Sequence, residues 1–241
     1  MSPILVRFRV AETLRFFLKP PFRVPEFEHS VGATDTVKHA VESLGIPHTE
    51  VGEFRIGSDA VPESAQMRNG DVLHVLPAVE PVILDDPRFI ADGHLGRLAA
   101  YLRMLGFDCW YDRTADDTLL ADVASADGRV LLTRDVGLLK RRQVESGYCV
   151  RSDKPHDQLH EVARRFALAT RMTPFQRCMD CNGYLEAVTK QEVEHVLPPH
   201  TRETRDVFSR CARCGKIYWR GSHHERMLGW IAGLTNPANV R

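Results

Sequence analysis

From Ile4 the chain runs Ile-Leu-Val-Arg-Phe-Arg-Val, apolar and then alternating, which predicts a half-buried strand over 4–10. A shorter extended run is expected at 22–27, after Lys19-Pro20-Pro21. Val37, Ala40, Val41 and Leu44 share one helical face, so a helix is expected over 33–44, with Gly45 as its left-handed stop. Strands at 54–56 and 71–76 follow, the second entered through the turn Asn69-Gly70. Beyond a short linker bracketed by Pro77, Pro81 and Pro87, short apolar strands alternate with helical periods, the pattern of a parallel sheet covered on both faces. The strands expected there are 89–91, 107–111, 130–133 and 148–150. The helices are 95–105, one capped near Asp116 and ending at Gly128, a short one after Asp135, and 158–168.

Composition makes this an ordinary globular chain, with 43% hydrophobic and 27% charged residues. No run approaches the roughly 20 apolar residues that span a bilayer. The amino end lacks a basic region followed by an apolar one, so a soluble, cytoplasmic protein with no membrane partner is expected. The 32 basic and 32 acidic side chains cancel overall, yet unevenly. Residues 1–87 carry 8 basic and 13 acidic side chains, whereas 171–241 carry 11 and 7. The carboxyl-terminal end can therefore offer a basic surface to an anionic partner, while the amino-terminal module repels one.

Of six cysteines, Cys109 and Cys149 stand alone in apolar surroundings, and the others form two Cys-x-x-Cys pairs, Cys178/Cys181 and Cys211/Cys214, separated by 29 residues. Each pair offers two thiolates to one tetrahedral ion, so together they make a closed, structural zinc ribbon site. Asn182-Gly183 and Gly215 lie where a knuckle needs positive φ. The hairpin of the ribbon is expected from 193–199 and 204–208. A redox role for either pair is the competing reading, disfavoured because neither sits at a strand-to-helix junction. His200, His223 and His224 are expected at the surface. Tyr218, Trp219, Arg220 and His223 form an aromatic and basic cluster suited to stacking bases and holding phosphates, or to packing on the ribbon's own core.

The middle segment places carboxylates where an open parallel sheet has its functional crevice, beyond the carboxyl ends of the strands. Asp92 follows one expected strand directly and Asp135 follows another by two residues. Asp116 and Asp117 open the helix between them, and Asp153 follows the last strand. Converging carboxylates repel unless a cation lies between them, and such oxygen ligands suit Mg²⁺ or Mn²⁺. The competing reading is that these aspartates only satisfy backbone donors at helix starts.

Two resemblances sharpen this picture. Residues 1–80 resemble the β-grasp, ubiquitin-like fold, and the ending Asn69-Gly70-Asp71-Val72-Leu73-His74-Val75-Leu76-Pro77 is similar to the last strand of small sulfur carriers. Such carriers end in a free Gly-Gly, which is absent here, so an interaction or positioning role with a protein partner is expected. The stretch Asp92-Gly93-His94-Leu95-Gly96-Arg97-Leu98-Ala99-Ala100-Tyr101-Leu102-Arg103-Met104-Leu105-Gly106, with Leu131-Leu132-Thr133-Arg134-Asp135 and residues 214–223, resembles the Mut-seven C-terminal RNase domain, a branch of the PIN-like nucleases.

That second resemblance implies three parts: the β-grasp module over 1–80, a PIN-like α/β domain over 88–170, and a four-cysteine zinc ribbon with a tail over 171–241. It implies Asp92 and Asp135 as ligands of catalytic Mg²⁺ or Mn²⁺, with Asp117 or its neighbour Asp116 as the third carboxylate and Asp153 as the nearest fourth. Thr133 is expected to orient an aspartate, and Arg97, Arg134, Lys140, Arg141 and Arg142 to meet phosphates beside Trp219 and Arg220. The activity implied is metal-dependent hydrolysis of RNA, leaving 5′-phosphate and 3′-hydroxyl ends. The alternative is an RNA-binding or ribosome-associated factor with little turnover, its partner an RNA such as tRNA or the ribosome.

Overall fold

Alternation at the amino end becomes a strand, β1 (Ile4–Val10), whose Val6, Phe8 and Val10 are buried. In the computed structural model, which describes residues 2–235, its partner β2 (Glu26–Val31) runs antiparallel and stacks Phe27 on Phe8. The opposite face pairs Arg9 with Glu26 at 2.5 Å and Arg7 with Glu28 at 3.1 Å. Extended structure begins at Glu26 rather than at Phe22, because Pro20 and Pro21 preset a 3-10 turn over Pro20–Phe22.

Thr36 caps α1 (Val37–Leu44) by accepting from the His39 amide at 3.2 Å. Val37, Ala40, Val41 and Leu44 are all buried, as the periodicity expects. The helix stops at Gly45, whose φ is 122° and where a Cβ would lie 2.4 Å from the Phe17 carbonyl oxygen. β3 (Val51–Ile56), a short β4 (Asp59–Val61) and β5 (Val72–Pro77) complete a sheet ordered β2-β1-β5-β3-β4. β1 and β5 are parallel and their neighbours antiparallel, the β-grasp arrangement expected.

Next along the chain come β6 (Arg88–Ala91), α2 (Gly96–Met104), β7 (Asp108–Tyr111), α3 (Asp117–Asp127), β8 (Val130–Thr133), α4 (Val136–Leu139), β9 (Gly147–Cys149) and α5 (Pro155–Arg165). β6 pairs with β7 and β8 with β9, both in parallel, so the middle segment is α/β as its pattern predicts. The remaining elements are β10 (Leu185–Val188), α6 (Lys190–Val193), α7 (Pro199–Thr204), β11 (Phe208–Cys211), β12 (Ile217–Trp219) and α8 (Ser222–Thr235).

The described residues fall into two compact units. The first joins residues up to Val82 with Ala115–Val150. Inside it, the buried Glu50 carboxylate accepts the Cys149 amide at 2.7 Å, and Lys140 Nζ donates to the Glu42 carbonyl at 2.7 Å. His48 bridges the Glu42 carboxylate at 2.7 Å and the Val144 carbonyl at 2.9 Å. The β-grasp module thus packs on β9 and on the segment that leads to it from α4 through buried polar contacts as well as its own apolar core.

The second unit joins Ile83–Thr114 with the chain from Arg151 onward. Its ribbon is a three-stranded antiparallel sheet, β10-β11-β12, over a small core of Val193, Leu197 and Phe208. The hairpin expected at 193–199 and 204–208 is not formed. Residues 193–199 make helical turns instead, because Thr189 and Glu192 close a capping box and Pro199 starts α7, and 204–208 run from the end of α7 to the first residue of β11. α8 was not expected, although Ser222-x-x-Glu225 has capping-box spacing and Met227, Trp230, Ile231 and Leu234 repeat at helical intervals. Among the described residues, no helix is long and apolar enough to cross a membrane.

Candidate metal centre and acidic residues

The two Cys-x-x-Cys turns bring Cys178, Cys181, Cys211 and Cys214 together, with their four sulfurs within 4.8 Å of one another. The Cys178–Cys214 and Cys181–Cys211 separations are 3.7 and 3.4 Å. A zinc ion with bonds of about 2.3 Å holds tetrahedral sulfurs roughly 3.8 Å apart, so the donor set fits zinc closely. Asn182 and Gly215 take the positive φ, at 68° and 74°, that the knuckles require. Gly183 is required for another reason: a Cβ there would lie 2.7 Å from Arg213 Cβ and 3.0 Å from Cys211 Sγ.

Burial opposes ionisation of Cys178, but the Tyr218 hydroxyl and the amides of Cys181 and Asp180 overcome it and bring the thiol down to about 7. Burial, with neighbouring thiols competing for protons, pushes Cys181 up to about 12. Four clustered thiols cannot all ionise against one another, whereas a divalent cation lets them. The Tyr218 hydroxyl lies 3.1 Å from Cys178 Sγ, and burial beside that sulfur raises its own pKa. Tyr218 thus serves the metal centre.

The first knuckle is fastened to the α/β part of its unit by side-chain contacts that spacing rules did not reveal. Buried Arg103 on α2 donates to the carbonyls of Cys109 at 2.8 Å, Met179 at 3.1 Å and Asp180 at 2.7 Å. Asn182 accepts from the Cys109 amide at 3.3 Å and donates to Asp108 at 2.9 Å. Arg177 reaches the Asn182 carbonyl at 3.0 Å and Asp108 at 3.6 Å, with its guanidinium over the Tyr184 ring. The available signal was Arg103 itself, four residues after buried Ala99 and therefore on the apolar face of α2.

The aspartates take the local positions expected of them. Asp92 follows β6, is half-buried, and its carbonyl starts the 3-10 turn Gly93–Leu95. Asp116 caps α3 by accepting from the Leu119 amide at 2.8 Å, and Asp117 sits 3.5 Å from Arg141. Asp135 caps α4: one carboxylate oxygen accepts from Gly137 at 2.6 Å and Leu138 at 3.4 Å, and its own amide donates to buried Thr133 at 2.9 Å. Among the described residues, Asp116 and Asp135 each bond through one carboxylate oxygen, and the group of three or more candidate ligands within reach of one ion is the four cysteines. Asp116, Asp117 and Asp135 belong to the first compact unit, and Asp92 and exposed Asp153 to the second.

Arg97, Arg134, Arg142 and Arg220 are exposed, as is Trp219 at 39%. Lys140 differs. Its amine is spent on the Glu42 carbonyl, and burial lowers its pKa, so it is turned away from solvent. Arg141 is half-buried and holds Thr118 at 3.3 Å as well as Asp117. His200 and His223 are exposed, but His224 is half-buried, with its ring centroid 4.4 Å from that of Phe175 and its pKa lowered by burial and by Arg220.

Residues 87–231 match the family model of the Mut7-C RNAse domain, and residues 3–83 match that of Mut7-C ubiquitin. The chain belongs to the Mut7-C RNAse domain family. No curated protein and no solved structure matches it. The Mut7-C match spans both the acidic segment and the two cysteine knuckles, and the Mut7-C ubiquitin match coincides with the β-grasp sheet. Membership brings a nuclease-type function and RNA as the class of molecule bound.

Proposed function

We propose that the chain is a metal-dependent ribonuclease in which Asp92, Asp135 and Asp117 or Asp116 hold Mg²⁺ or Mn²⁺. The observation that carries this is Asp135, fastened at one oxygen by two backbone amides, in a Mut7-C RNAse domain. A carboxylate so held keeps its place when its charge is met by a cation, and hard oxygen donors suit these ions. When bound, such an ion polarises a phosphodiester and acidifies water.

The work left to the chain is positional. Thr133 holds the backbone of Asp135 in register, and the Gly137 and Leu138 amides orient its carboxylate. Exposed Arg97, Arg134, Arg142 and Arg220 offer charge to phosphates, and Trp219 offers a face to a base. We take the domains as 1–80, 88–170 and 171–241, the last folded around zinc. The expected products carry 5′-phosphate and 3′-hydroxyl ends.

One observation favours a second reading. Asp116 and Asp135 also serve as helix caps, a purpose they would retain in an RNA-binding or ribosome-associated factor with little turnover. The test is incubation of zinc-loaded protein with labelled structured and single-stranded RNAs in Mg²⁺ or Mn²⁺, beside Asp135→Asn. Cleavage by the parent chain alone supports the ribonuclease. Equal products from both chains, or none from either while RNA is still bound, would move the reading to the binding factor.

A further inference from the structure

Beside the zinc knuckles, within the second unit, lies a cleft of about 410 Å³ whose walls include Arg103, Trp110, Asp112 and Arg213, with Cys181 and Cys214 at the metal end. Three features set it apart from an incidental hollow. The first is Arg103, only 3% exposed, whose hydrogen-bond acceptors are all neutral backbone carbonyls. Among the described residues its Nη2 has no partner, and no carboxylate lies within ion-pair distance of it. Nη2 is thus the donor that Arg103 has left for a ligand, beside a metal end that four thiolates around one Zn²⁺ make net negative.

The second feature is Trp110, a half-buried indole on which no ring or cation stacks among the described residues. The third is Arg213, exposed, whose guanidinium among the described residues bonds through Nη1 alone, to the Cys181 carbonyl at 3.2 Å. The carboxylate in the lining, Asp112, accepts from the Thr114 amide and hydroxyl, both at 2.8 Å through one oxygen.

The cleft also lies along the strand that leads toward the acidic edge. Trp110 is opposite Ile90 in the parallel β6–β7 pairing, and Asp92 follows two residues after Ile90. Tyr111 ties the two strand ends together by donating to the Gly93 carbonyl at 2.9 Å. A flat aromatic face flanked by two guanidiniums matches a base with its phosphate, and a base can lie there only when unpaired.

We propose that this cleft is a nucleotide subsite holding a single-stranded stretch of RNA next to the cut site, with a base on Trp110 and a phosphate on Arg103 and Arg213. The assignment next to the cut site rests on the ribonuclease reading above. Arg103 also fastens the knuckle, so Trp110 and Arg213 are the residues to vary. Binding of a short fluorescein-labelled oligoadenylate to the full zinc-loaded chain is followed by anisotropy without divalent cation, with zinc content measured for each variant. Trp110→Ala and Arg213→Gln are each expected to weaken binding roughly tenfold, with Trp110→Phe retaining it and Arg213→Gln flattening the salt dependence by about one ion.

Wild-type affinity in zinc-replete Trp110→Ala and Arg213→Gln would overturn the subsite, and if the parent chain still cleaves RNA, the ribonuclease reading stands without it. Conversely, a parent chain that cleaves nothing, with binding still dependent on Trp110 and Arg213, sinks the ribonuclease and keeps the subsite as an RNA-binding surface. Equal competition by duplex RNA would overturn the single-stranded assignment.

Discussion

Arg103 Nη1 donates to the Asp180 carbonyl at 2.7 Å, so a buried side chain of α2 holds the backbone of the first zinc knuckle. The same guanidinium satisfies two more carbonyls, those of Cys109 and Met179. Replacing it with methionine fills much of the volume but leaves three acceptors without their donor. Arg103→Met should destabilise the second unit by about 2–4 kcal/mol and speed zinc release to a chelator. Thermal unfolding followed together with a colorimetric zinc assay checks both. An unchanged midpoint with unchanged release would mean that the knuckle is held by its own sheet alone.

Zinc itself should contribute about 10 kcal/mol or more to the folding of the ribbon, whose own core is only Val193, Leu197 and Phe208 with two partly buried neighbours. One equivalent of zinc per chain is expected, and Cys178→Ser should lose it. The loss should appear as rapid proteolysis between Arg171 and Thr235, with the β-grasp residues still protected. Limited proteolysis read by mass spectrometry separates these regions. Protection of the ribbon in metal-free protein would contradict a structural role.

Legibility in the sequence followed the range of the interactions. The four-cysteine set, the caps Asp116 and Asp135, and the β1 alternation are carried by spacings and local patterns, and each was readable, whereas the helix expected from 33 starts only at Val37, behind its Thr36 cap. The hairpin expected at 193–199 failed because a capping box and Pro199 favoured helical turns over a strand in a segment with no strong alternation. Lys140 reads as a basic run with Arg141 and Arg142, but its partner is a backbone carbonyl 98 residues away, which no local pattern encodes. Arg103 was similarly hidden, as were the side-chain partners of Asn182 and Tyr218. Their partners lie on distant segments, and only the folded chain brings them to the knuckles.

Thr133 gives a direct test of positioning. Its hydroxyl accepts the Asp135 amide at 2.9 Å from a fully buried site on β8. Thr133→Val keeps the shape and removes the hydroxyl, at a stability cost of about 1–2 kcal/mol. The expected effect on cleavage is a lower kcat with KM for RNA little changed, because the carboxylate is displaced while the phosphate-binding surface is not. Steady-state kinetics in Mg²⁺ decide it, and partial rescue by Thr133→Ser would separate the hydroxyl from the methyl.

His160 predicts a pH effect with a definite sign. Burial lowers its pKa from the usual 6.5, and the neighbouring His156, with ring centroids 4.9 Å apart, lowers it further. The unfolded chain therefore takes up a proton near 6.5 while the folded chain does not. The stabilising difference is present above that value and is lost as pH falls below it toward the folded pKa. Unfolding midpoints should drop between neutral and mildly acid pH, and His160→Gln should shallow that slope. A slope identical in the variant would assign the acid sensitivity to other groups.

The β-grasp module should prove inseparable from α3, β8, α4 and β9. Glu50, 2% exposed, accepts the Cys149 amide at 2.7 Å, and His48 reaches the Val144 carbonyl at 2.9 Å, so β9 and the loop before it are both bonded to this module. Glu50→Ala leaves a buried amide unsatisfied and should cost about 1–3 kcal/mol, whereas Glu50→Gln keeps an acceptor oxygen and should cost less. A chain beginning at Ile83 removes every one of these partners at once. Hydrogen exchange at residues 130–150 should then rise toward unprotected rates while α2 stays protected, and RNA cleavage should fall with it, because Asp135 sits on that segment. Native protection of residues 130–150 in the shortened chain would instead make the module an independent attachment.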